Sequence, residues 1–251
     1  MTDTPQPIHW KDWKIYHFDE IDSTNEQARN HSPWTVIVAQ TQTAGRGRHG
    51  RRWTSDSGGL WCSVVLPTPG NIDRWELLPL VVGLSVIRTL KALDISARMR
   101  WPNDVLVDDK KLAGLLLERH RKEHVIAGIG INLFNNPDSS DKTLRGTTIR
   151  LADVTPSPPS LDDFLCRILA HVKEAHRELL ESGPAKIFRE LNQMWGELPT
   201  QVELFINDAR LIGEFLGITE SGHLRFRSNS ESEECFPPSK ILRLVELDQK
   251  S

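Results

Sequence analysis

Cysteine is scarce in this chain of 251 residues. Its three cysteines, Cys62, Cys166 and Cys235, are far apart and lack the paired spacing of a zinc site or a disulfide framework, so we expect reduced packing residues. Long apolar runs are missing too. At the amino terminus, polar and aromatic residues at 9–12 interrupt any apolar core of signal-peptide length, and no later segment is long and apolar enough to span a bilayer. The sequence therefore predicts neither a signal peptide nor a membrane span, and we expect a cytoplasmic protein.

An excess of positive charge is also absent. The chain has 31 lysine and arginine residues against 34 aspartate and glutamate residues, a formal net charge of -3 at pH 7. Such a surface offers no broad positive field to long polyanions such as DNA, so any basic site must be local. Hydrophobic residues at 38% and charged residues at 26% are typical of a packed globular protein.

The hydrophobic pattern predicts a mixture in which strands outnumber helices. A 3.6-residue period predicts helices over 76–93, 161–180 and 185–195, and the capping-box spacing of Ser23 and Glu26 predicts a further helix start. Short apolar or alternating runs predict the strands. These strands cover 15–18, 35–39, 60–66, 99–101, 111–118, 124–131, 202–206, 210–218, 224–227 and 241–247.

This order of elements predicts an α+β fold followed by a small β-barrel-like unit. Helical spacing ends at residues 196–199 and strand patterns begin directly afterwards, which predicts a domain boundary there. We therefore expect one domain over 1–198 and a second over 199–251. Residues 1–14 have little periodicity, and residues 135–159 are rich in polar residues and proline, so both segments are expected to be irregular.

Residues 45–52 form a dense local cluster of positive charge. Four arginines fall within these eight positions, and three glycines allow the backbone to approach a ligand closely. Guanidinium groups bind phosphate or carboxylate through two parallel hydrogen bonds, so an anionic ligand is expected. A solvated loop and an RNA-contacting Arg-Gly segment remain alternatives when this segment is taken alone.

Two turn-like segments carry further polar groups. Trp101-Pro102-Asn103-Asp104 ends in a carboxylate that could hold Mg²⁺ or accept a proton from an amine, although a plain Asx turn would have the same sequence. Ser23-Thr24-Asn25 places hydroxyl and amide groups at a predicted helix start, where they could bind a small polar ring or cap the helix.

Two predicted strands carry glycines where a ligand could lie. Lys111 opens an apolar strand in which Gly114 leaves room for a flat molecule. Gly128 and Gly130 leave one face of the next strand bare, and Asn132 follows them. An edge-strand lysine, close backbone packing and a turn cap are the ordinary alternatives.

Taken in order, these segments closely resemble those of the biotin protein ligases. The resemblance is strong over about residues 15–133 and is a matter of pattern in the rest. It implies a mixed β-sheet covered by helices, of the class II aminoacyl-tRNA synthetase-like type, with 1–198 as the catalytic domain and 199–251 as an SH3-like β-barrel. The matching segments are Ser23-Thr24-Asn25, Gln42-Thr43-Ala44-Gly45-Arg46-Gly47-Arg48-His49-Gly50-Arg51, Trp101-Pro102-Asn103-Asp104, Lys111-Leu112-Ala113-Gly114 and Gly128-Ile129-Gly130-Ile131-Asn132.

The resemblance implies an enzyme that uses ATP and Mg²⁺ to adenylate biotin and then joins biotin to a lysine of a biotin carboxyl carrier protein. Because 22 residues precede Ser23, we expect no DNA-binding domain and no specific DNA binding. A homodimer is one open option for the assembly. The rival hypotheses are a lipoate ligase or octanoyl transferase of the same fold, and an RNA-binding module that uses residues 45–52.

The resemblance also implies roles for individual residues. Lys111, Arg48 and Asp104 would be catalytic: Lys111 would stabilise the acyl phosphate, and Asp104 would orient or deprotonate the acceptor lysine. The metal site stays unknown, with Asp104 as a candidate. The biotin pocket would be lined by Ser23, Thr24, Gln42, Gly45, Arg46, Lys111, Gly114, Gly128 and Gly130, and the nucleotide would be bound by Arg48, Arg51, Trp53, Asn103 and Asn132, with Trp53 packing on adenine.

Two positions within the site motifs depart from the family pattern. Arg100 stands where many relatives carry lysine, so the charge is retained. His49 stands where many carry arginine, and an imidazole can be neutral at pH 7, which argues against a phosphate contact.

Overall fold

The computed structural model describes residues 5–68, 77–121, 123–195, 199–207, 209–228 and 232–247. Eight of its strands form one mixed sheet. They are β1 (Ile8–Trp10), β2 (Trp13–Ile21), β3 (Thr35–Gln42), β4 (Leu60–Pro67), β5 (Arg98–Arg100), β6 (Asp104–Val107), β7 (Lys110–Arg119) and β8 (His124–Ile131).

The strand order across this sheet is β1-β2-β3-β4-β8-β7-β6-β5. Strands β2 and β3 run parallel, joined by the short helix α1 (Thr24–Ala28), because a parallel pair needs a crossover connection. The other neighbouring pairs are antiparallel. In this order β4, β8 and β7 are neighbouring internal strands. The side chains of each strand alternate between the two faces of the sheet.

Helices cover one face of the sheet. The main ones are α2 (Leu78–Lys91), α5 (Leu161–Ser182) and α6 (Ala185–Gln193), with short turns α3 (Pro137–Ser140) and α4 (Leu151–Val154) between them. Helix α5 begins where the Ser160 hydroxyl accepts a hydrogen bond from the Asp163 N–H at 3.2 Å, as an N-cap does. Its buried apolar residues, such as Ile168, Val172 and Ala175, recur every three or four residues and pack into the main core with α2.

A second, antiparallel sheet follows. It contains β9 (Thr200–Ile206), β10 (Ala209–Ile218), β11 (Leu224–Ser228), β12 (Glu233–Phe236) and β13 (Arg243–Glu246), in the order β12-β11-β10-β9-β13. Its buried Leu204 and Phe226 belong to the same core cluster as the first sheet. Among the described residues, none of the helices has the length and apolar character that crossing a lipid bilayer requires.

The predicted α+β class and most strands are confirmed, but three predictions were wrong. Residues 8–10 form edge strand β1 rather than irregular chain, and residues 135–159 contain two short helices. Asp104 opens strand β6 instead of ending a turn, because its backbone pairs with both neighbouring strands. Most of the predicted boundary, 196–198, lies outside the described residues, so the division into two domains stays a prediction.

Candidate active site

The sheet register brings separate sequence motifs into one row on the face opposite helix α2, which packs on Met99 and Leu115. Arg100 pairs with Asp104, Asp104 with Gly114, and Gly114 with Gly130. Gly130 pairs in turn with Trp61 of β4. Paired residues of neighbouring strands lie side by side, so segments far apart in sequence form one continuous surface. We call Gly114 and Gly130 the glycine floor.

A β-bulge turns Lys111 toward this row. The register between β6 and β7 shifts by one residue next to Lys111, which puts it on the same face as Gly114. Lys111 Nζ lies 2.7 Å from Asp104 Oδ1, and Arg100 Nη2 lies 2.8 Å from Asp104 Oδ2. Each oxygen of the Asp104 carboxylate thus pairs with a different cation.

These two cations decide the protonation state of Asp104. Burial alone would raise the pKa of its carboxyl, but the charges and hydrogen bonds of Lys111 and Arg100 outweigh burial and hold the pKa below its usual value. Asp104 is therefore ionised at neutral pH. Because a carboxylate with a lowered pKa is a weak base, Asp104 is better suited to orienting a cation than to removing a proton from an amine.

Asp104 does not fit the role of Mg²⁺ ligand. Both of its oxygens are engaged by cations. In the described part of the chain, no group of three or more His, Cys, Asp or Glu side chains could hold a metal ion. A protein-held magnesium needs carboxylates that are not neutralised in this way.

The arginine-rich segment contacts both Asn103 and residues 237–242, which connect strands β12 and β13 of the second sheet. Arg48 Nη1 donates to Asn103 Oδ1 at 3.3 Å, and Arg48 Nη2 donates to the carbonyl oxygens of Pro238 at 2.7 Å and Ile241 at 3.1 Å. His49 Nε2 lies 3.2 Å from the same Ile241 oxygen. The segment is thereby attached to the C-terminal sheet at several points.

Two basic groups in this segment have lowered pKa values. Burial lowers the pKa of Arg48 and repulsion from Arg51 adds to this, while attraction to Asp104 opposes it; a guanidinium nevertheless stays charged at pH 7. Burial and the charge of Arg48 lower the pKa of His49, against the hydrogen bond to Ile241. His49 is therefore neutral at pH 7, as the sequence suggested.

Arg46 is held by two acids beside α1. Its Nη2 lies 2.5 Å from Glu26 Oε1 and 3.1 Å from Glu118 Oε2, and Asn25 Nδ2 donates to that Glu118 oxygen at 2.7 Å. Arg46 Nε is buried without a hydrogen-bond partner in the described structure. A buried N–H donor without a hydrogen-bond partner destabilises the protein, so this N–H is available to an acceptor on a polar ligand.

A chain of hydrogen bonds continues from this point. Ser63 Oγ lies 2.6 Å from Asn25 Oδ1 and 2.7 Å from Thr24 Oγ1. Gln42 Oε1 accepts hydrogen bonds from the Thr24 N–H at 2.8 Å and from Thr24 Oγ1 at 3.1 Å. Gly128 permits this approach, because a Cβ there would lie 2.5 Å from Asn25 Oδ1. This end of the site is therefore buried and polar, and its side chains are joined by hydrogen bonds.

The Trp53 indole lies on the glycine floor. A Cβ at Gly114 would be 2.7 Å from Trp53 Cζ3, and one at Gly130 would be 2.6 Å from Trp53 Nε1. Lys111 Nζ lies 4.9 Å from the centroid of the ring. The indole N–H is buried with no acceptor among the described residues. The ring thus occupies the place where the sequence predicted a flat ligand, and a ligand can lie there only if the ring moves.

One cavity of about 710 Å³ is lined by Arg46, Arg48, Trp53, Asp104 and Lys111 together with the glycine floor. Ser23, Thr24 and Gln42 line its polar end, Lys111 lies in its wall, and residues 242–247 of the second sheet also contribute to its lining. A cavity of this size is typical of small-molecule sites.

Comparisons with known proteins agree with this geometry. Residues 18–132 match the model of the Biotin/lipoate A/B protein ligase family. Over 230 residues the chain is 30% identical to the bifunctional ligase/repressor BirA of Bacillus subtilis, an alignment that covers 86% of this chain and 69% of that protein. The chain belongs to this family of ligases.

Two further similarities support the family. The ligase is 37% identical over 131 residues to the biotin–[acetyl-CoA-carboxylase] ligase of Paracoccus denitrificans, across 47% of this chain and 54% of that protein. Its fold is similar to that of the biotin protein ligase from Aquifex aeolicus in complex with biotin and ATP, with a TM-score of 0.81, 28% identity, and coverage of 95% of this chain and 100% of that one.

Every predicted site residue of the ligase except Gly45 lines the cavity. Gly45 lies behind the lining: its carbonyl accepts a hydrogen bond from the Trp53 N–H at 2.9 Å, and a Cβ there would collide with the Trp53 carbonyl. Gly45 therefore shapes the segment that carries Trp53. The assigned roles of all these residues stay predictions.

Sequence reasoning left several lining residues of the ligase out of the site. Arg98 and Arg100 flank the buried Met99, and this alternation could have placed both arginines on one face. Arg98 also binds Glu246 of the second sheet, with Nη2 2.5 Å from Oε2. No signal in the sequence pointed to residues 242–247, because their place in the wall depends on how the two sheets pack.

Proposed function

We propose that this ligase uses ATP to convert biotin to biotinyl-adenylate and then transfers biotin to a lysine of a biotin carboxyl carrier protein. One observation carries the proposal: Arg46, Arg48 and Lys111, which come from separate segments, line a single cavity with a buried polar end. A site that joins two anionic reactants needs such converging cations.

In the first step, a carboxylate oxygen of biotin forms a bond to the α-phosphorus of ATP, and the bond from that phosphorus to pyrophosphate breaks. Lys111 would stabilise the negative charge that develops, and Arg48 and Arg51 would bind phosphate oxygens. Mg²⁺ belongs to the ATP substrate as its counter-ion. In the second step, the lysine amine attacks the acyl carbon and gives up a proton to solvent, and AMP leaves with the bonding pair, while Asp104 would orient the incoming amine.

The polar end of the cavity favours biotin over lipoate as the acyl substrate. Biotin has a ureido ring that donates and accepts hydrogen bonds, whereas the dithiolane of lipoate does neither well. Burying an apolar ring against Arg46 Nε would leave this donor without a hydrogen-bond partner, at about 1–3 kcal/mol. A lipoate ligase or octanoyl transferase is therefore the weaker candidate.

An RNA-binding module is also disfavoured. Arg46 and Arg48 line a cavity of a size suited to a small molecule, and the chain as a whole has a formal net charge of -3, so no broad basic surface is offered to a long polyanion. In our proposal, residues 1–198 form the catalytic domain. Residues 199–251, whose described strands build the second sheet, form the SH3-like domain and help to enclose the nucleotide end.

The test is mass spectrometry of a biotin carrier domain after incubation with the ligase, ATP and Mg²⁺, and with either biotin or lipoate. We expect a biotinyl adduct on one lysine and none without ATP. A lipoyl adduct alone would establish the rival acyl substrate.

A further inference from the structure

Arg100 has a position that neither its sequence nor the proposed reaction explains. It lies at the end of the edge strand β5, and its side chain is 31% exposed. Its guanidinium reaches the Asp104 oxygen on the side opposite to Lys111. Arg100, Asp104 and Lys111 all line the cavity, so this is a three-member charge cluster at the reaction site rather than a surface ion pair.

The charge balance of this cluster depends on Arg100. Lys111 and Asp104 alone would form a formally neutral pair, with the ammonium 2.7 Å from the carboxylate. A neutral pair does little to stabilise a growing negative charge nearby. Counted as formal charges, two cations and one carboxylate sum to a single positive charge, so Arg100 restores what Asp104 removes.

Geometry points the same way. A carboxylate without a second partner could turn both oxygens toward the lysine or swing away from it. Because Arg100 engages Oδ2 at 2.8 Å, Oδ1 is left facing Lys111. The ammonium is thereby held by one oxygen and keeps its remaining N–H donors for another acceptor. The nearby Trp53 ring, 4.9 Å from Nζ, closes a further side.

We propose that Arg100 is a positioning residue for the adenylation step: by binding one oxygen of Asp104, it keeps Lys111 oriented toward the cavity within a cluster of net positive charge. This inference rests on the proposed function. Arg100 acts through Asp104 and Lys111, and it need not touch substrate.

The experiment measures the rate of adenylate formation at saturating biotin and ATP, together with the Kd for biotin. In Arg100→Gln we expect this rate to fall roughly ten- to a hundredfold, while the Kd changes less than about threefold. Arg100→Lys should recover most of the rate, because it restores the positive charge that pairs with Asp104, although an ammonium lacks the planar geometry of a guanidinium. Transfer from supplied biotinyl-adenylate to a carrier domain is measured separately, because Asp104, which Arg100 binds, would also orient the acceptor amine in that step.

A matched control removes a similar ion pair elsewhere. Arg225 pairs with Glu233 across two strands of the second sheet, with Nε 2.7 Å from Oε1, away from the cavity lining. Arg225→Gln should leave both steps unchanged. In a Lys111→Met background, Arg100→Gln should cause a smaller loss than it causes in the wild type, because the part of its effect that passes through Lys111 is already gone.

The outcomes separate the two claims. If the wild-type enzyme forms no adenylate with biotin, the proposed function fails and this inference fails with it. If the wild type is active and Arg100→Gln keeps its full rate, the role of Arg100 alone is overturned. A parallel loss of rate, biotin affinity and thermal stability that Arg100→Lys does not repair would reduce Arg100 to a structural clamp and overturn the proposal as well.

Discussion

Replacing Lys111 with methionine removes one charge from the cluster and keeps most of the side-chain volume. The remaining Asp104–Arg100 pair is formally neutral, so the reacting phosphate loses a net positive neighbour. Two unit charges 4 Å apart interact by about 4 kcal/mol at an effective dielectric constant of about 20. The Lys111 side chain is 25% exposed, which weakens this by solvent screening. We therefore expect a loss of about 3 kcal/mol, or roughly a hundredfold in the rate of adenylate formation.

The assay is single-turnover release of pyrophosphate from ATP with saturating biotin, paired with calorimetric titration of biotin. Because negative charge on the phosphate is greatest as the phosphorus–oxygen bonds rearrange, the rate should suffer far more than the biotin Kd. Lys110→Met is the control, since Lys110 is the exposed neighbour on β7. Equal losses in rate and affinity for Lys111→Met would refute this reasoning and make Lys111 a simple binding residue.

Three further predictions follow from the contacts of single residues. Arg48→Ala removes the hydrogen bonds that hold the arginine-rich segment to Asn103 and to the β12–β13 connection. If this segment closes the site, adenylate should escape from the variant and biotinylate lysines of bystander proteins. An unchanged escape rate, measured by mass spectrometry, would contradict that role. If Trp53 must leave the glycine floor, biotin should change the tryptophan fluorescence, and Trp53→Phe should abolish most of that change. Burial lowers the pKa of His176 below 6.5, so as pH falls below that value the unfolded chain binds a proton before the folded chain does, and the free energy of unfolding decreases. Urea titrations at pH 7.5 and 5.5 measure this decrease. It should be smaller in His176→Gln, whose amide can still donate to the Pro67 carbonyl.

The central strands and the long helices were predictable because their hydrophobic period is strong. The run that became β4 is buried at nearly every position, and helix α5 has a regular apolar stripe. Strand β6 was missed because its first residue belongs to a polar turn-like motif. Edge strand β1 was missed because its short, half-exposed sequence has no clear period.

The members of the site were largely predictable, but their contacts were not. Glycines at 114, 128 and 130 and cations at 48 and 111 signal a ligand surface by residue type alone. That Trp53 covers the glycines depends on long-range packing, as does the binding of Arg48 to carbonyl oxygens of the second sheet. The ion pair of Arg100 follows from strand register, which a sequence pattern fixes poorly when a bulge intervenes.

The most direct measurement is exchange of labelled pyrophosphate into ATP, catalysed by the purified protein with and without biotin. The account predicts exchange that requires biotin, is not supported by lipoate, and falls sharply in Lys111→Met. Exchange that is absent with biotin, or equally fast with no acyl substrate, would contradict it.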